Sequence, residues 1–116
     1  MKSQHKKHHS SFQFIVNKKQ VSKNKILKTS ILYDKVALSA SQSVTPYSNL
    51  LNTNLKSFEF NILKKAYLND ELIVKQHIQK LSNSELELKI TVAKKKEKHQ
   101  DIICKAIYGY TFKNAS

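Results

Sequence analysis

Alternation of apolar and polar residues runs through the C-terminal half of the chain and limits the fold more than any other feature. The clearest run is ELELKITVA, and three further segments show the same pattern. Successive side chains of a strand point to opposite faces, so each segment predicts a β-strand with one buried face. The residues expected on these faces are Phe58, Phe60, Ile62, Leu72, Val74, Ile78, Leu86, Leu88, Ile90, Val92, Ile102, Cys104, Ala106, Tyr108, Tyr110 and Phe112. The short polar connections LNDE and SNS predict an antiparallel meander.

A helical period replaces this alternation between about Thr29 and Gln42. One broad apolar arc contains Leu32, Tyr33, Val36, Ala37 and Ala40, with Ile31 and Leu38 on the other side. A helix that is apolar on most of its circumference is covered on several sides. Thr29 or Ser30 is the expected N-cap, and Pro46 is expected to end the helix.

The order of these elements predicts the fold class. A short strand, FQFIV at 12–16, precedes the helix, and the alternating strands follow it. One antiparallel sheet wrapped around one central apolar helix satisfies this order, which makes the chain an α+β protein. The 116 residues suffice for a single domain, expected at 12–113, after a basic tail at 1–11 that is predicted to be disordered.

The charge is strongly one-sided, because 21 basic and 8 acidic residues give a formal net charge of +13. Every basic residue is Lys, although Arg is the better residue for forked contacts to phosphate and guanine. A solvated basic surface is therefore favoured over nucleic-acid binding. The chain has neither an apolar run long enough to span a membrane nor the apolar part of a signal peptide. We therefore expect a cytoplasmic protein, or one of an organelle matrix if the basic N-terminus is a targeting segment.

Few residues suggest metal or thiol chemistry. Cys104 is the single cysteine, which excludes an intramolecular disulfide, and its place on the last strand predicts a small buried hydrophobic side chain. His5, His8 and His9 have no Cys or acid nearby to complete a tetrahedral site, so neither a metal nor a cofactor is expected. His77 lies opposite the buried face of its strand and is predicted to be exposed.

Residues 58–92, FEFNILKKAYLNDELIVKQHIQKLSNSELELKITV, resemble the hotdog fold and most closely its acyl-CoA thioesterases. That family has an aromatic strand, then Leu-(Lys/Arg)-Pro-Ala, a Gly-Asp turn, and two long strands joined by a short turn. Four positions keep this pattern: Leu63, Lys64, Ala66 and Asp70. Lys65 stands where Pro is usual and Asn69 where Gly is usual, and Asn tolerates the left-handed conformation that such a turn can need. Coarsely, the resemblance covers residues 12–113.

The resemblance implies hydrolysis of an acyl thioester, carried by coenzyme A or acyl carrier protein, in a homodimer whose sheets join edge to edge. The ligand would lie between the protomers. By the same resemblance, the amides around Thr29 and Ser30 form the oxyanion site, and Asn24 positions the carbonyl or a water. Lys28 and Thr29 stand where the family has a pair of glycines. Ser22 stands where some of its members carry their acid.

Asp34, within SILYDKVALSA, is the only Asp or Glu in the first 58 residues. Three interpretations are open. Asp34 is the catalytic base or nucleophile that the resemblance implies, or an ordinary solvent-facing residue on the shoulder of the helix, or a hydrogen-bonding residue at a dimer interface. A buried Asp34 would need partners, because an uncompensated buried carboxylate costs several kcal/mol.

Two other functions compete with hydrolysis. A hotdog-like module without catalysis would bind an acyl ligand or serve as an assembly subunit, which the missing glycines favour. A basic nucleic-acid-binding protein would lose affinity steeply with salt. The loop lysines Lys94, Lys95 and Lys96 are candidates for coenzyme A phosphates and otherwise form a solvated hairpin tip.

Overall fold

A computed structural model describes residues 9–48, 52–96 and 100–113 of the chain. Its elements are β1 His9–Ile15, a 3₁₀ turn Lys18–Gln20, α1 Thr29–Ser48, β2 Asn52–Ile62, β3 Glu71–Leu81, β4 Glu85–Lys95 and β5 Gln100–Lys113. β1 begins inside the segment predicted as a tail, and residues 1–8 of that prediction lie outside the described residues. No helix within the described ranges has the length and hydropathy needed to span a membrane.

The strands form one antiparallel sheet in the order β1-β3-β4-β5-β2. The prediction of an antiparallel sheet with a single helix is therefore confirmed. β2 does not join the meander beside β3; it crosses to the far edge and pairs with β5. Segment 63–70 makes this crossing, and the amides of Leu63 and Lys64 both donate to the carbonyl of Ile103, at 2.7 and 3.1 Å. β1 and β2 are consequently the two edge strands.

The helix lies across β3 and β4 on one face of the sheet. Leu32, Val36 and Ala40 are buried against that face, as the helical spacing predicts. Ser39 is the one polar residue that is fully buried in the described part of the chain, and its hydroxyl donates to the side-chain oxygen of Gln76 on β3. Buried polar groups are hydrogen-bonded, because an unpaired one loses its hydration without replacement. This pair therefore fixes the rotation of the helix on the sheet.

The end of α1 differs from the prediction, since the helix continues through Pro46 to Ser48. A proline cannot donate the helical hydrogen bond to the carbonyl four residues earlier. Two hydroxyls bond helix carbonyls just upstream, Ser43 to Ser39 at 2.9 Å and Thr45 to Ser41 at 2.7 Å. Tyr47, which follows the proline, stacks on Phe112 with 6.0 Å between ring centroids. The last turn is thus held by packing against β5, which compensates for the missing donor.

The inner face of β5 also differs from strict alternation. Its pairing with β4 shifts register, so that Val92 lies opposite Cys104 and Ala93 opposite Ile102. Ile103 is the extra residue of this bulge and is buried in the core, while Ile102 is only half-buried. The prediction that Ile102 shares the buried face of β5 was therefore wrong, and on β2 the expected burial of Phe58 and Ile62 was wrong as well, since both are exposed.

The turn that leads into β3 is built as the sequence indicates. Asn69 has a φ of 74°, the left-handed conformation that Asn and Gly tolerate best. Its amide donates to the carbonyl of Val16 at 2.8 Å, and the amide of Val16 donates to the carbonyl of Asp70 at 2.9 Å. The Asp70 carboxylate accepts from the amide of Tyr67 at 2.8 Å and pairs with Lys94 at 3.2 Å. Asp70 is therefore a structural residue of the turn.

Candidate functional site

The start of α1 presents unused backbone donors. The carbonyl of Lys28 accepts from the amides of Ile31 and Leu32, at 3.1 and 3.2 Å, so Lys28 is the N-cap rather than Thr29 or Ser30. The amides of Thr29 and Ser30 have no hydrogen-bond partner among the described residues. Free amides at a helix start, together with the positive end of the helix dipole, form a site for an anion or a developing oxyanion.

The segment before the helix is held in place by backbone bonds. Residues 21–27 form a small hairpin closed by a bridge between Val21 and Leu27. The amide of Leu27 donates to the carbonyl of Ala66 at 2.8 Å, and the amide of Lys28 donates to the carbonyl of Gln20 at 2.9 Å. Ala66 is only 2% exposed, so a larger side chain would displace the hairpin. The Leu-Lys-Lys-Ala segment therefore positions the helix start.

A pocket of about 200 Å³ opens beside the first turn of α1. Its lining residues are Ile26, Leu27, Thr29, Leu32, Ile62, Lys64, Lys65, Ala66 and Ile103. Most of these side chains are apolar, and the polar ones are two lysines and the threonine that begins the helix. An apolar cleft with a few placed polar groups is the usual form of a small-molecule site. The pocket can thus hold an apolar group next to the free amides.

Asp34 lies on the side of α1 that faces away from the sheet, with Ser30 one turn before it and Leu38 one turn after it. Its side chain is exposed and makes no hydrogen bond or ion pair with the described residues. The carboxylate is therefore not committed to a structural pair with any residue that the structure describes. In the single chain Asp34 needs no compensating partner, because it is in contact with water.

Asn24 occupies the tip of the hairpin before the helix. The hairpin turn is closed by a bond from the amide of Lys25 to the carbonyl of Ser22 at 2.9 Å, and Lys25 has a φ of 65°. The side chain of Asn24 is exposed and is not part of the pocket lining. The structure thus places Thr29 in the pocket wall, with Ser30 next to it in the helix but outside the lining. Among the described residues, neither Asn24 nor Asp34 joins Thr29 around this pocket.

The lysines predicted to meet phosphates lie at the end of β4 and just after it. Lys94 pairs with Asp70 at 3.2 Å, and Lys96 pairs with Asp101 at 2.8 Å. The hydrogen bond from Lys96 lowers the pKa of the Asp101 carboxyl. Lys95 is exposed. Two of the three candidates are therefore engaged with carboxylates, and their role with coenzyme A stays a prediction.

An aromatic cluster fills the space between α1 and the β2 edge. It consists of Tyr33, Phe58, Phe60, Tyr108 and Tyr110. Tyr33 meets Phe58 and Phe60 edge-on, at centroid distances of 5.9 and 5.7 Å. Burial raises the pKa of Tyr108 to about 12, and its hydroxyl has no partner among the described residues. Burial likewise raises the pKa of the Cys104 thiol to about 11, as fits the predicted buried hydrophobic residue.

Large apolar side chains remain exposed along the β2 edge. This β2-edge patch comprises Tyr33 (43% exposed), Leu55 (53%), Phe58 (39%) and Ile62 (44%). Large apolar side chains exposed along one edge of a sheet are typical of an interaction site. On the opposite edge, Ile15 is the one large hydrophobic residue of β1 that is exposed within the described ranges. The two edges of the sheet therefore differ in apolar character.

The pocket walls were not predicted from the sequence. The sequence marks Lys64 and Ala66 only as matches to a family pattern, because their approach to the helix start depends on pairing with a distant hairpin. Ile103 reaches the pocket because of the bulge in β5, and a bulge has no signal in an alternating sequence. His77, in contrast, is exposed as predicted. No cluster of His, Cys, Asp or Glu suited to a metal ion occurs in the described part of the chain.

The fold is shared with solved thioesterases. A hypothetical thioesterase from Streptococcus pneumoniae TIGR4, solved with coenzyme A, has a TM-score of 0.74 and 15% identity, over 92% of this chain and 80% of that chain. A Streptococcus mutans UA159 protein bound to acetyl CoA has a TM-score of 0.75 and 14% identity, over 93% and 83%. A mutant acyl-CoA hydrolase from Staphylococcus aureus has a TM-score of 0.79 and 11% identity, over 93% and 68%.

Sequence comparison adds nothing to this structural likeness, because neither a family model nor a curated protein matches the chain. At identities of 10–15% the likeness concerns the path of the backbone. The likeness extends over nearly the whole fold, since 92–93% of this chain is covered at TM-scores of 0.74–0.79. The chain therefore has the hotdog fold found in solved acyl-CoA thioesterases.

Proposed function

We propose that the protein hydrolyses acyl thioesters of coenzyme A or acyl carrier protein. One observation carries the proposal: the free amides of Thr29 and Ser30 open beside an apolar pocket at the start of the central helix. A thioester needs both features, a donor pair for its carbonyl oxygen and an apolar space for its acyl group. The coenzyme A and acetyl CoA bound to structures of the same fold support this assignment.

The proposed chemistry uses the two turns that begin α1. The amides of Thr29 and Ser30 donate to the thioester oxygen as negative charge develops on it. Asp34 lies on the same side of the helix as Ser30 and one turn further on, a separation of about 6 Å along the axis. Its carboxylate takes a proton from water while the hydroxide adds to the carbonyl carbon. The C–S bond then breaks, the thiolate receives that proton, and a carboxylic acid is released.

Within this proposal the working form is a homodimer joined through β2. An edge strand leaves backbone donors and acceptors unpaired, and a second copy of the same edge satisfies them. The β2-edge patch would be buried in the same contact, whereas the β1 edge offers only Ile15. Ile62 belongs both to the patch and to the pocket lining, so a second protomer on β2 would wall the pocket.

A change in Leu55 tests this arrangement. Leu55→Asp places two unpaired carboxylates in a two-fold contact, and we expect the dimer dissociation constant to rise by at least about 100-fold. Ile15→Asp makes the same substitution on an equally exposed residue of the other edge and should leave the dimer intact. Sedimentation equilibrium measures the dimer dissociation constant of both variants. Dissociation caused by Ile15→Asp alone would show that the protomers join through β1.

A second candidate function rests on the side chains at the helix start. Lys28 and Thr29 stand where the resembling family has glycines, and the Thr29 side chain lines the pocket. If these side chains keep the carbonyl from the amides, the same pocket binds an acyl ligand without hydrolysing it. Nucleic-acid binding is the third candidate, and the all-lysine basic surface gives it little support.

Thiol release from acyl-CoA esters tests hydrolysis directly. The panel runs from short to long acyl groups and includes aromatic ones, and we expect enzyme-dependent turnover of at least one ester. Binding of a non-hydrolysable acyl-CoA thioether is measured in parallel by calorimetry. Binding of the thioether without turnover of any ester would identify the acyl-binding module instead. Binding of duplex DNA that weakens steeply with salt, without binding of the thioether, would support the third candidate.

A further inference from the structure

Seven lysines lie on the backbone segments that meet at the start of α1, beside the pocket, and the chemistry proposed above uses none of their charges. This lysine rim comprises Lys18, Lys19, Lys23, Lys25, Lys28, Lys64 and Lys65, all of them exposed. They come from three separate segments, and backbone bonds hold these segments together. The amide of Lys28 bonds the carbonyl of Gln20, and the amide of Leu68 bonds the carbonyl of Lys25, each at 2.9 Å. The backbone of the fold therefore holds the segments that carry the lysine rim in fixed relative positions.

Almost none of this charge is neutralised within the described residues. Lys64 approaches Asp101 at 3.5 Å, and the other rim lysines form no ion pair there. Asp70, the carboxylate of the neighbouring turn, is paired with Lys94. The positive end of the α1 dipole adds to the same field, so this side of the molecule attracts anionic surfaces.

We propose that the rim docks an acidic carrier protein, which delivers the acyl thioester on its phosphopantetheine arm. This inference rests on the function proposed above and names the physiological carrier. Acyl-CoA and acyl carrier protein present the same pantetheine thioester to the pocket. They differ in what stays outside it, which is a small nucleotide in one case and a protein surface in the other.

The shape and chemistry of the rim favour the protein. Lys18, Lys19 and Lys23 are exposed and do not line the pocket, so the positive surface is larger than the pocket wall. A nucleotide held at the pocket opening engages two or three cations, and Arg binds phosphate with better geometry than Lys. Hydrated lysine charges spread over several segments suit long-range attraction between two complementary surfaces. Such attraction mainly raises the association rate and weakens with salt.

A charge-reversal experiment tests the proposal. The rim variant is Lys18→Glu/Lys19→Glu/Lys23→Glu, and the control is Lys75→Glu/Lys89→Glu/Lys105→Glu. The control lysines lie on the face of the sheet opposite α1, and both triple variants change the net charge equally. One acyl group is presented on a bacterial acyl carrier protein, on coenzyme A and on free pantetheine, and kcat/KM is measured for each. Binding of holo carrier protein is measured separately by biolayer interferometry at low and high salt.

We expect carrier-bound thioester to be hydrolysed with a higher kcat/KM than free pantetheine thioester, and this ratio to fall at least tenfold in the rim variant. The control variant should keep the wild-type ratio. An equal loss on coenzyme A and carrier thioesters would assign the rim to phosphate and overturn the proposal, as would a ratio unchanged in the rim variant. If no thioester is hydrolysed but holo carrier still binds through the rim, the hydrolase assignment fails and the docking surface stands.

Discussion

Replacement of Asp34 by Asn is expected to lower kcat for thioester hydrolysis by roughly 100- to 10,000-fold, the range that one general acid or base contributes. The amide keeps the outline of the carboxylate but can neither take a proton from water nor attack the carbonyl. Asp34 is exposed and has no partner among the described residues, so its replacement removes no folded-state interaction. The free energy of unfolding should therefore change by less than about 0.5 kcal/mol. Thiol release at saturating substrate and urea unfolding measure the two quantities.

Glu71→Gln is the matched control for this change. Glu71 is likewise an exposed acid without a partner in the described part of the chain, but it lies at the start of β3 rather than on α1. The two variants lose the same charge, so a difference in kcat between them reflects where the acid lies in the fold. Full turnover in Asp34→Asn would show that Asp34 is an ordinary solvent-facing residue of the helix, and another group would have to activate the water.

Replacement of Thr29 by Pro is expected to lower kcat by about 100-fold or more, which is the usual cost of removing one oxyanion donor. Proline is well tolerated at the first position of a helix, where its missing N–H breaks no helical bond. The amide of Thr29 has no partner within the described ranges, and Lys28 before it lies outside the helix. The substitution therefore deletes the proposed donor and spares the helix.

Thr29→Ala separates the donor from the side chain. Alanine keeps the N–H and removes the methyl and hydroxyl groups that line the pocket. We expect Thr29→Ala to stay within about tenfold of wild-type kcat/KM, or to exceed it if the side chain crowds the thioester, since a small steric change is worth about 1 kcal/mol. Equal losses in Thr29→Pro and Thr29→Ala would indicate that the side chain matters and that the amide does not.

Local sequence patterns predicted the elements of the fold because each pattern depends on nearby residues. The period-2 segments became β2 to β5, and the apolar arc of Leu32, Val36 and Ala40 became the buried side of α1. Asn69 has the left-handed conformation that the turn pattern indicates and that Asn tolerates better than most residues. Pro46 was misjudged because the rule that proline ends a helix is local, whereas the last turn is held by Tyr47 against Phe112, a residue far along the chain.

The candidate site was less predictable, because it is made by long-range pairing. The hairpin before α1 is placed by Ala66 and its neighbours, which follow it by about forty residues, and no spacing rule links such segments. The sequence singled out Thr29, Ser30 and Asp34 through a family resemblance, and the structure shows free amides at the first two and exposure of the third. The sequence alone could not show that Lys28 caps the helix or that Ile103 enters the pocket.

The position of β2 has a consequence for the order of folding. β3, β4 and β5 are joined by short connections and can pair as local hairpins, whereas β2 must close a long loop to reach β5. Closing a long loop costs entropy before the contacts form, so pairings between distant segments form slowly. β2 carries the edge proposed to join two copies and also one wall of the pocket. Association of two chains would therefore stabilise one of the two non-local strand pairings of the sheet, and the pocket would be complete only once β2 is in place.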